Sequence, residues 1–283
     1  MNGKTCLITG ATSGIGLVTA QALATQGARV VIAGRNEQRA RETVAAIQRA
    51  SGNQQVSYLL ADLSLQAQVR HLAGEFLAAH DRLDVLVNNA GAMFWRRHET
   101  ADGLEMTFAV NHLAPFLLTN LLLDRLKSSA PARIVTVASM AHLGARLNFD
   151  DLQQRTHRYR AFTVYSQSKL ANILFTYELA RRLEGSGVTA NTLHPGFVAT
   201  RFATSRNPLL TGMMLLTRPF SISPERGAET SIYLATSPAV AGVSGRYYIK
   251  SAPAQSSAAS YDAESARKLW EISAQLTGLD HTV

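Results

Sequence analysis

Tyr165 and Lys169 are the pair in this chain whose chemistry and spacing suit proton transfer. Residues four apart lie one helical turn from each other on the same face. An ammonium beside a phenol favours the phenolate and draws its pKa down from about 10. The expected result is a proton donor and acceptor usable near neutral pH, which an isolated tyrosine is not. The pair alone specifies nothing, because the same spacing also occurs in idle surface pairs. The surrounding elements must supply the context.

They begin at the N-terminus. Residues 5–9 read as a short strand, followed by Gly10-Ala-Thr-Ser-Gly14-Ile-Gly16 and a helical pattern that Gly27 ends. Residues 29–33 read as a second strand, which completes a βαβ unit. In such a unit Gly10 can take the tight turn, Gly14 lets the backbone approach a pyrophosphate, and Gly16 lets helix and sheet pack closely. Phosphates would sit on the free N–H groups of the helix N-terminus. The cradle spans Gly10, Thr12, Ser13, Gly14, Ile15 and Gly16. A site for NAD commonly carries a carboxylate after the second strand, to bond the ribose hydroxyls. Here Gly34 and then Arg35 stand there. A guanidinium can pair with a 2′-phosphate, so NADP(H) is expected over NAD(H).

Strands and helices go on alternating. Strands are expected at 56–60, 85–87, 133–137, 188–193 and 245–249. Helices are expected at 37–50, 65–80, 104–128, 165–183, 224–234 and 263–276. Pro115 should bend the 104–128 helix near Asn111. The Ser/Ala-rich piece 251–260 reads as a loop before the last helix. The pattern predicts an α/β fold: one doubly wound, Rossmann-type parallel sheet with helices on both faces, spanning residues 1–283 as a single domain. Gly10, Arg35, Asp62, Asn88, Ser139 and Pro195 all follow strand ends and should line one edge of that sheet.

Composition excludes several classes. The single cysteine, Cys6, permits no internal disulfide and no Cys-based metal site, and no metal is expected. The net charge of +8 comes from scattered basic residues. Its densest cluster, Arg155, Arg158 and Arg160, lacks the extent of a nucleic-acid stripe. No signal peptide or run of about 18 apolar residues is present. A cytoplasmic protein without an integral membrane segment is expected.

Thr9-Gly10-x-x-x-Gly14-Ile-Gly16, Asp62-Leu63, Asn88-Asn89-Ala90-Gly91, Asn111, Ser139, Tyr165-x-x-x-Lys169 and Pro195-Gly196 occur in this order along nearly the whole chain. Together they resemble the short-chain dehydrogenase/reductase family. Ala138-Ser139-Met-Ala-His142, the run from Tyr165 to Phe175, Leu193-His194-Pro195-Gly196 and Lys268-Leu269-Trp270-Glu271 resemble its retinol-dehydrogenase-like branch, which includes protochlorophyllide reductases. Animal retinol dehydrogenases often carry an N-terminal membrane anchor. This sequence starts directly at its first strand, so attachment is not carried over.

The resemblance implies catalytic roles for Asn111, Ser139, Tyr165 and Lys169. Tyr165 would be the general acid or base, Ser139 would hold the substrate oxygen, and Lys169 would lower the Tyr165 pKa and bind the nicotinamide ribose. Asn111 would hold a water that relays protons. Asp62 and Leu63 would contact adenine, Asn88, Ala90 and Gly91 its ribose, and Pro195, Gly196, Val198 and Thr200 the nicotinamide. Residues 202–223 would form an apolar substrate lid, with Phe202, Met213 and Met214 facing Met93 and Trp95 across a lipophilic substrate, or else a helix packed on its own domain or at a subunit contact. His142 and His194 read as structural. Homodimers or homotetramers would form through residues 104–128 and 165–183. The implied activity interconverts a lipophilic carbonyl compound and its alcohol. Carbon–carbon double-bond reduction and a non-catalytic NADP-binding sensor or scaffold are the alternatives.

Overall fold

Short runs of apolar, mostly β-branched residues divide between two faces of one sheet. Leu7, Val31, Leu86 and Ile134 point to one side; Ile8, Val30, Ile32, Val87 and Val135 point to the other. This period-two division buries both faces, as a parallel sheet between helical layers requires. The computed structural model describes residues 1–197 and 222–279. Its strands are β1 (Thr5–Thr9), β2 (Arg29–Gly34), β3 (Val56–Leu60), β4 (Val85–Asn88), β5 (Ala132–Val137), β6 (Val188–His194), β7 (Tyr247–Ile249) and β8 (Ala252–Ala254). They form a sheet in the order β3-β2-β1-β4-β5-β6-β7-β8.

The chain runs outward from β1 to β3 and returns to β4 on the other side of β1. Such a reversal opens a crevice beyond the carboxyl ends of the two central strands. Helices α1 (Gly14–Thr25), α2 (Glu37–Ser51) and α8 (Pro224–Thr236) pack on one face. Helices α3 (Gln66–Ala79), α5 (Ala114–Leu121), α7 (Ala161–Arg182) and α9 (Ala263–Thr277) pack on the other. None of the described helices is long and apolar enough to cross a membrane.

Two expectations need correction. The 251–260 stretch is not a plain loop: β8 pairs antiparallel with β7, and a short 3₁₀ turn follows at Ala258–Tyr261. Lys250 and Ser251 form the connection, both with positive φ, 49° and 59°. That is the backbone of a two-residue hairpin turn. The 104–128 stretch is not one bent helix. It divides into α4 (Met106–Phe108), a π-turn over Ala109–Leu113, α5, and α6 (Leu123–Ser128). Pro115 has no N–H, so the carbonyl of Asn111 loses its ordinary helical donor, and the backbone widens at that point.

Candidate active site

The β1–α1 turn is closed by side chains from the end of β4. The Thr9 hydroxyl accepts the N–H groups of Asn89 and Ala90, both at 3.1 Å. Asn89 Nδ2 donates to the Thr9 carbonyl at 2.8 Å and to the Gly10 carbonyl at 3.2 Å. Gly10 adopts φ +65°, and a Cβ there would meet the Ala90 Cα at 2.9 Å. A Cβ on Gly16 would meet Asn89 Nδ2 at 2.5 Å and the Gly10 carbonyl at 2.7 Å. Both glycines are therefore required by close approach. Ser13 stands at the N-cap of α1 but its side chain makes no capping bond, and the first turn holds no acidic residue. Among the described residues, no side chain accepts from the first N–H groups of α1. A cradle of this kind, with its dipole positive end outward, fits a dinucleotide pyrophosphate.

The other strand ends converge here. Gly34 closes β2 against the turn, where a Cβ would meet Thr12 Cγ2 at 2.8 Å, and exposed Arg35 follows it. The Asp62 carboxylate is held by Ser64 through its N–H at 2.9 Å and its hydroxyl at 2.7 Å, with Leu63 packed on the core beside it. Asn88 differs from its neighbours. Its amide is buried and donates to Thr119 in α5 at 2.9 Å, so this side chain serves the sheet–helix contact. Gly91 lies nearer the chemistry: a Cβ on it would stand 3.2 Å from Lys169 Nζ and 3.4 Å from Asn111 Oδ1.

The π-turn aims Asn111 into this corner. Its side chain is fully engaged, accepting from the Ala92 N–H at 2.7 Å and donating to the Ala92 carbonyl at 2.9 Å and to Ser168 at 3.0 Å. Ser168 in turn donates to the Tyr165 carbonyl at 2.7 Å. The wide turn is thereby fastened to the helix that carries Tyr165 and Lys169.

Tyr165 and Ser139 meet across the crevice through a side-chain hydrogen bond. Burial pushes the Tyr165 phenol up to about 12, and the Ser139 bond opposes it only in part. The expectation of a depressed phenol pKa is therefore corrected. Lys169 is buried, its Nζ donates to the Val137 carbonyl at 2.9 Å, and it lies 5.7 Å from the Tyr165 ring centre. Burial lowers it to about 8, so near neutral pH it is still mostly the ammonium.

The loop after Gly91 forms one wall. Met93 is half-buried and Trp95 exposed. The Phe94 carbonyl between them accepts from the Tyr159 hydroxyl at 3.1 Å, which also meets buried Glu105 at 3.1 Å. The loop preceding Tyr165 thus braces that wall. Pro195 and Gly196 leave β6 at the same edge; Gly196 has φ +91° and lies against the Ile222 side chain. Val198, Thr200, Phe202, Met213 and Met214, with most of the 202–223 stretch, lie outside the described residues.

Thr9, Asn89, Ser168 and Tyr159 support the site, although the sequence assigns none of them a role. Thr9 and Asn89 stand in the motifs that carry the family resemblance, and a hydroxyl or amide at a strand end is the available signal. Ser168 and Tyr159 offer none, because their partners are distant in sequence.

The family model for short chain dehydrogenases matches residues 4–209. Human retinol dehydrogenase 14 is 46% identical over 99% of this chain and 88% of its own length. Human retinol dehydrogenase 13 is 42% identical over 98% of this chain and 86% of its own. Among solved structures, an uncharacterised protein from Mycobacterium paratuberculosis superimposes with TM-score 0.79 at 36% identity, covering 98% of this chain and 94% of that one. The RhlG/NADP active-site complex from Pseudomonas aeruginosa gives TM-score 0.70 at 28% identity, covering 87% and 94%. The chain belongs to the short-chain dehydrogenase/reductase family, as a retinol-dehydrogenase-like oxidoreductase of alcohol and carbonyl groups.

Proposed function

We propose that the protein is an NADP(H)-dependent oxidoreductase that interconverts a lipophilic carbonyl compound, of retinoid-like character, and its alcohol. The observation that carries this reading is the buried Tyr165 phenol, bonded to Ser139 and backed by Lys169 at the crevice of the sheet. The names of the relatives support an apolar alcohol, and the apolar composition of residues 202–223 supports the same class.

The β1–α1 cradle would bind the pyrophosphate, Arg35 the 2′-phosphate, and Asp62 and Leu63 the adenine. Gly91, Lys169, Pro195 and Gly196 would border the nicotinamide ribose and ring. The bound cofactor supplies or accepts the hydride. Ser139 donates to the substrate oxygen and fixes its direction. In reduction Tyr165 gives that oxygen its phenolic proton; in oxidation it takes the proton back. Lys169 places a positive charge beside the ring as negative charge develops on its oxygen. The Asn111 carbonyl, deprived of a donor by Pro115, is the group suited to hold a water on the path from Lys169 to solvent.

Tyr165→Phe tests the reading. Turnover of aldehydes, ketones and retinoids should fall by about 10²–10⁴-fold, the usual worth of a positioned acid, while NADPH binding by fluorescence stays near wild type. Wild-type rates in the variant would refute the acid/base assignment. NADPH binding without turnover by the wild-type protein would favour a sensor or scaffold, and a saturated carbon–carbon bond in the product would favour double-bond reduction.

A further inference from the structure

Two histidines outside the proposed proton path hold the peptide that follows Ser139. His142 is buried; its Nδ1 pairs with the Ser139 carbonyl at 2.6 Å, and its Nε2 accepts the Ser257 N–H at 3.0 Å. A backbone N–H can only donate. Nε2 therefore carries no proton, and Nδ1 is the donor to Ser139. On the other side, His194 Nδ1 accepts the Met140 N–H at 3.1 Å, so its own proton stands on Nε2. The Ser139 carbonyl and the Met140 N–H belong to one peptide plane. That plane is thus held at its oxygen by one imidazole and at its nitrogen by the other.

We propose that His142 and His194 are positioning residues that clamp this peptide and so aim the Ser139 hydroxyl at Tyr165. The proposal rests on the reading of Ser139 as the residue that holds the substrate oxygen. Ser139 has extended φ and ψ, −164° and 153°, and its hydroxyl accepts only the nearby Ala141 N–H among local backbone groups, at 3.1 Å. Displacement of the Ser139–Met140 peptide would shift the Ser139 Cα and the Ala141 N–H that its hydroxyl accepts, and with them the aim of that hydroxyl at Tyr165. His142 also draws its second bond from Ser257, and its ring packs edge-on to Tyr247 at 5.2 Å between centroids. The chain beyond β7 is thereby tied to the serine. Burial disfavours the imidazolium at both positions, lowering His194 to about 4, and neutral rings are what both acceptor roles need.

Three substitutions at position 142 separate aim from bulk. Asparagine places an N–H near the Nδ1 position and can still reach the Ser139 carbonyl. Glutamine reaches toward Ser257 but leaves that carbonyl unpaired. Leucine keeps volume and makes neither bond. His142→Gln and His142→Leu should each lose about 10- to 100-fold in kcat, the cost of a reacting group misplaced by about an ångström. His142→Asn should recover most of that loss, and NADPH Kd should stay constant in all three. Equal kcat for the Asn and Gln variants would overturn the proposal, even if His142→Leu fails to fold. Ser139→Ala is measured alongside. If it retains turnover, the reading of Ser139 fails; if it is inactive while His142→Gln is fully active, only the clamp fails.

Discussion

Lys169 Nζ gives its hydrogen bond to the Val137 carbonyl at 2.9 Å and stands 5.7 Å from the centre of the Tyr165 ring, so β5 anchors the cation beside the phenol. Burial lowers Lys169 from 10.5 to about 8. Between those values the unfolded chain holds a proton that the native state has released. Stability therefore rises with pH across this window, and below it the buried ammonium costs the native state. Tyr165, raised from 10.0 to about 12, acts with the opposite sign and only above its unfolded value. Lys169→Met removes the first effect. Thermal melts from neutral pH to 10 should show wild-type Tm gaining on the variant as pH rises through 8. Parallel curves would show that Lys169 is not depressed.

Gly16 and Gly52 separate two uses of glycine. A Cβ on Gly16 collides with Asn89 Nδ2 and the Gly10 carbonyl, both parts of the cradle. A Cβ on Gly52 meets nothing within 4 Å, but its φ of +71° strains any other residue. Gly52→Ala should cost about 1–2 kcal/mol of stability and leave NADPH Kd unchanged. Gly16→Ala should weaken NADPH binding about 10- to 100-fold, because overpacking of about 1–3 kcal/mol falls on the turn itself. Calorimetric titration decides; equal cofactor affinity in both variants would remove the Gly10–Gly16 turn from the cofactor site.

The strand-end residues were legible because parallel strands bring them to one edge whatever the details of packing. Three features were not. The β7–β8 hairpin turns on Lys250 and Ser251, and neither is a residue that marks positive φ, as Asn-Gly would. Its second strand, Ala252-Pro253-Ala254, shows no apolar alternation, although an edge strand is where proline is tolerated. The bend at Pro115 was readable, but a missing N–H does not dictate that the backbone resolves into a π-turn around Asn111. The Tyr165 pKa went the other way from expectation for a tertiary reason. Spacing puts the ammonium one turn away, but not how deeply Tyr165 is buried or that Val137 takes the Lys169 bond. His142 and His194 were read as structural; that their bonds converge on one peptide depends on β6 lying beside β5.

Arg35 is the residue on which the proposed cofactor preference turns. Gly34 before it can carry no side chain, because Thr12 Cγ2 would lie 2.8 Å from its Cβ. Asn36 after it is committed to capping α2, accepting the Arg39 N–H at 2.9 Å. Arg35 is therefore the side chain free to meet a group on the adenine ribose at this strand end. Among the described residues no carboxylate pairs with it. Charge-assisted bonds to a 2′-phosphate are worth about 1.5–3 kcal/mol, which converts to about 10- to 150-fold in affinity. Arg35→Asp removes that attraction and sets a carboxylate where it repels the phosphate and can accept from the NAD ribose hydroxyls. The ratio of Kd values for NADP and NAD should move toward NAD by at least the affinity of the lost bonds. Raised salt should weaken NADP binding in the wild type more than in the variant, since the contact is exposed. A ratio unchanged by Arg35→Asp would place the phosphate elsewhere and withdraw the preference for NADP.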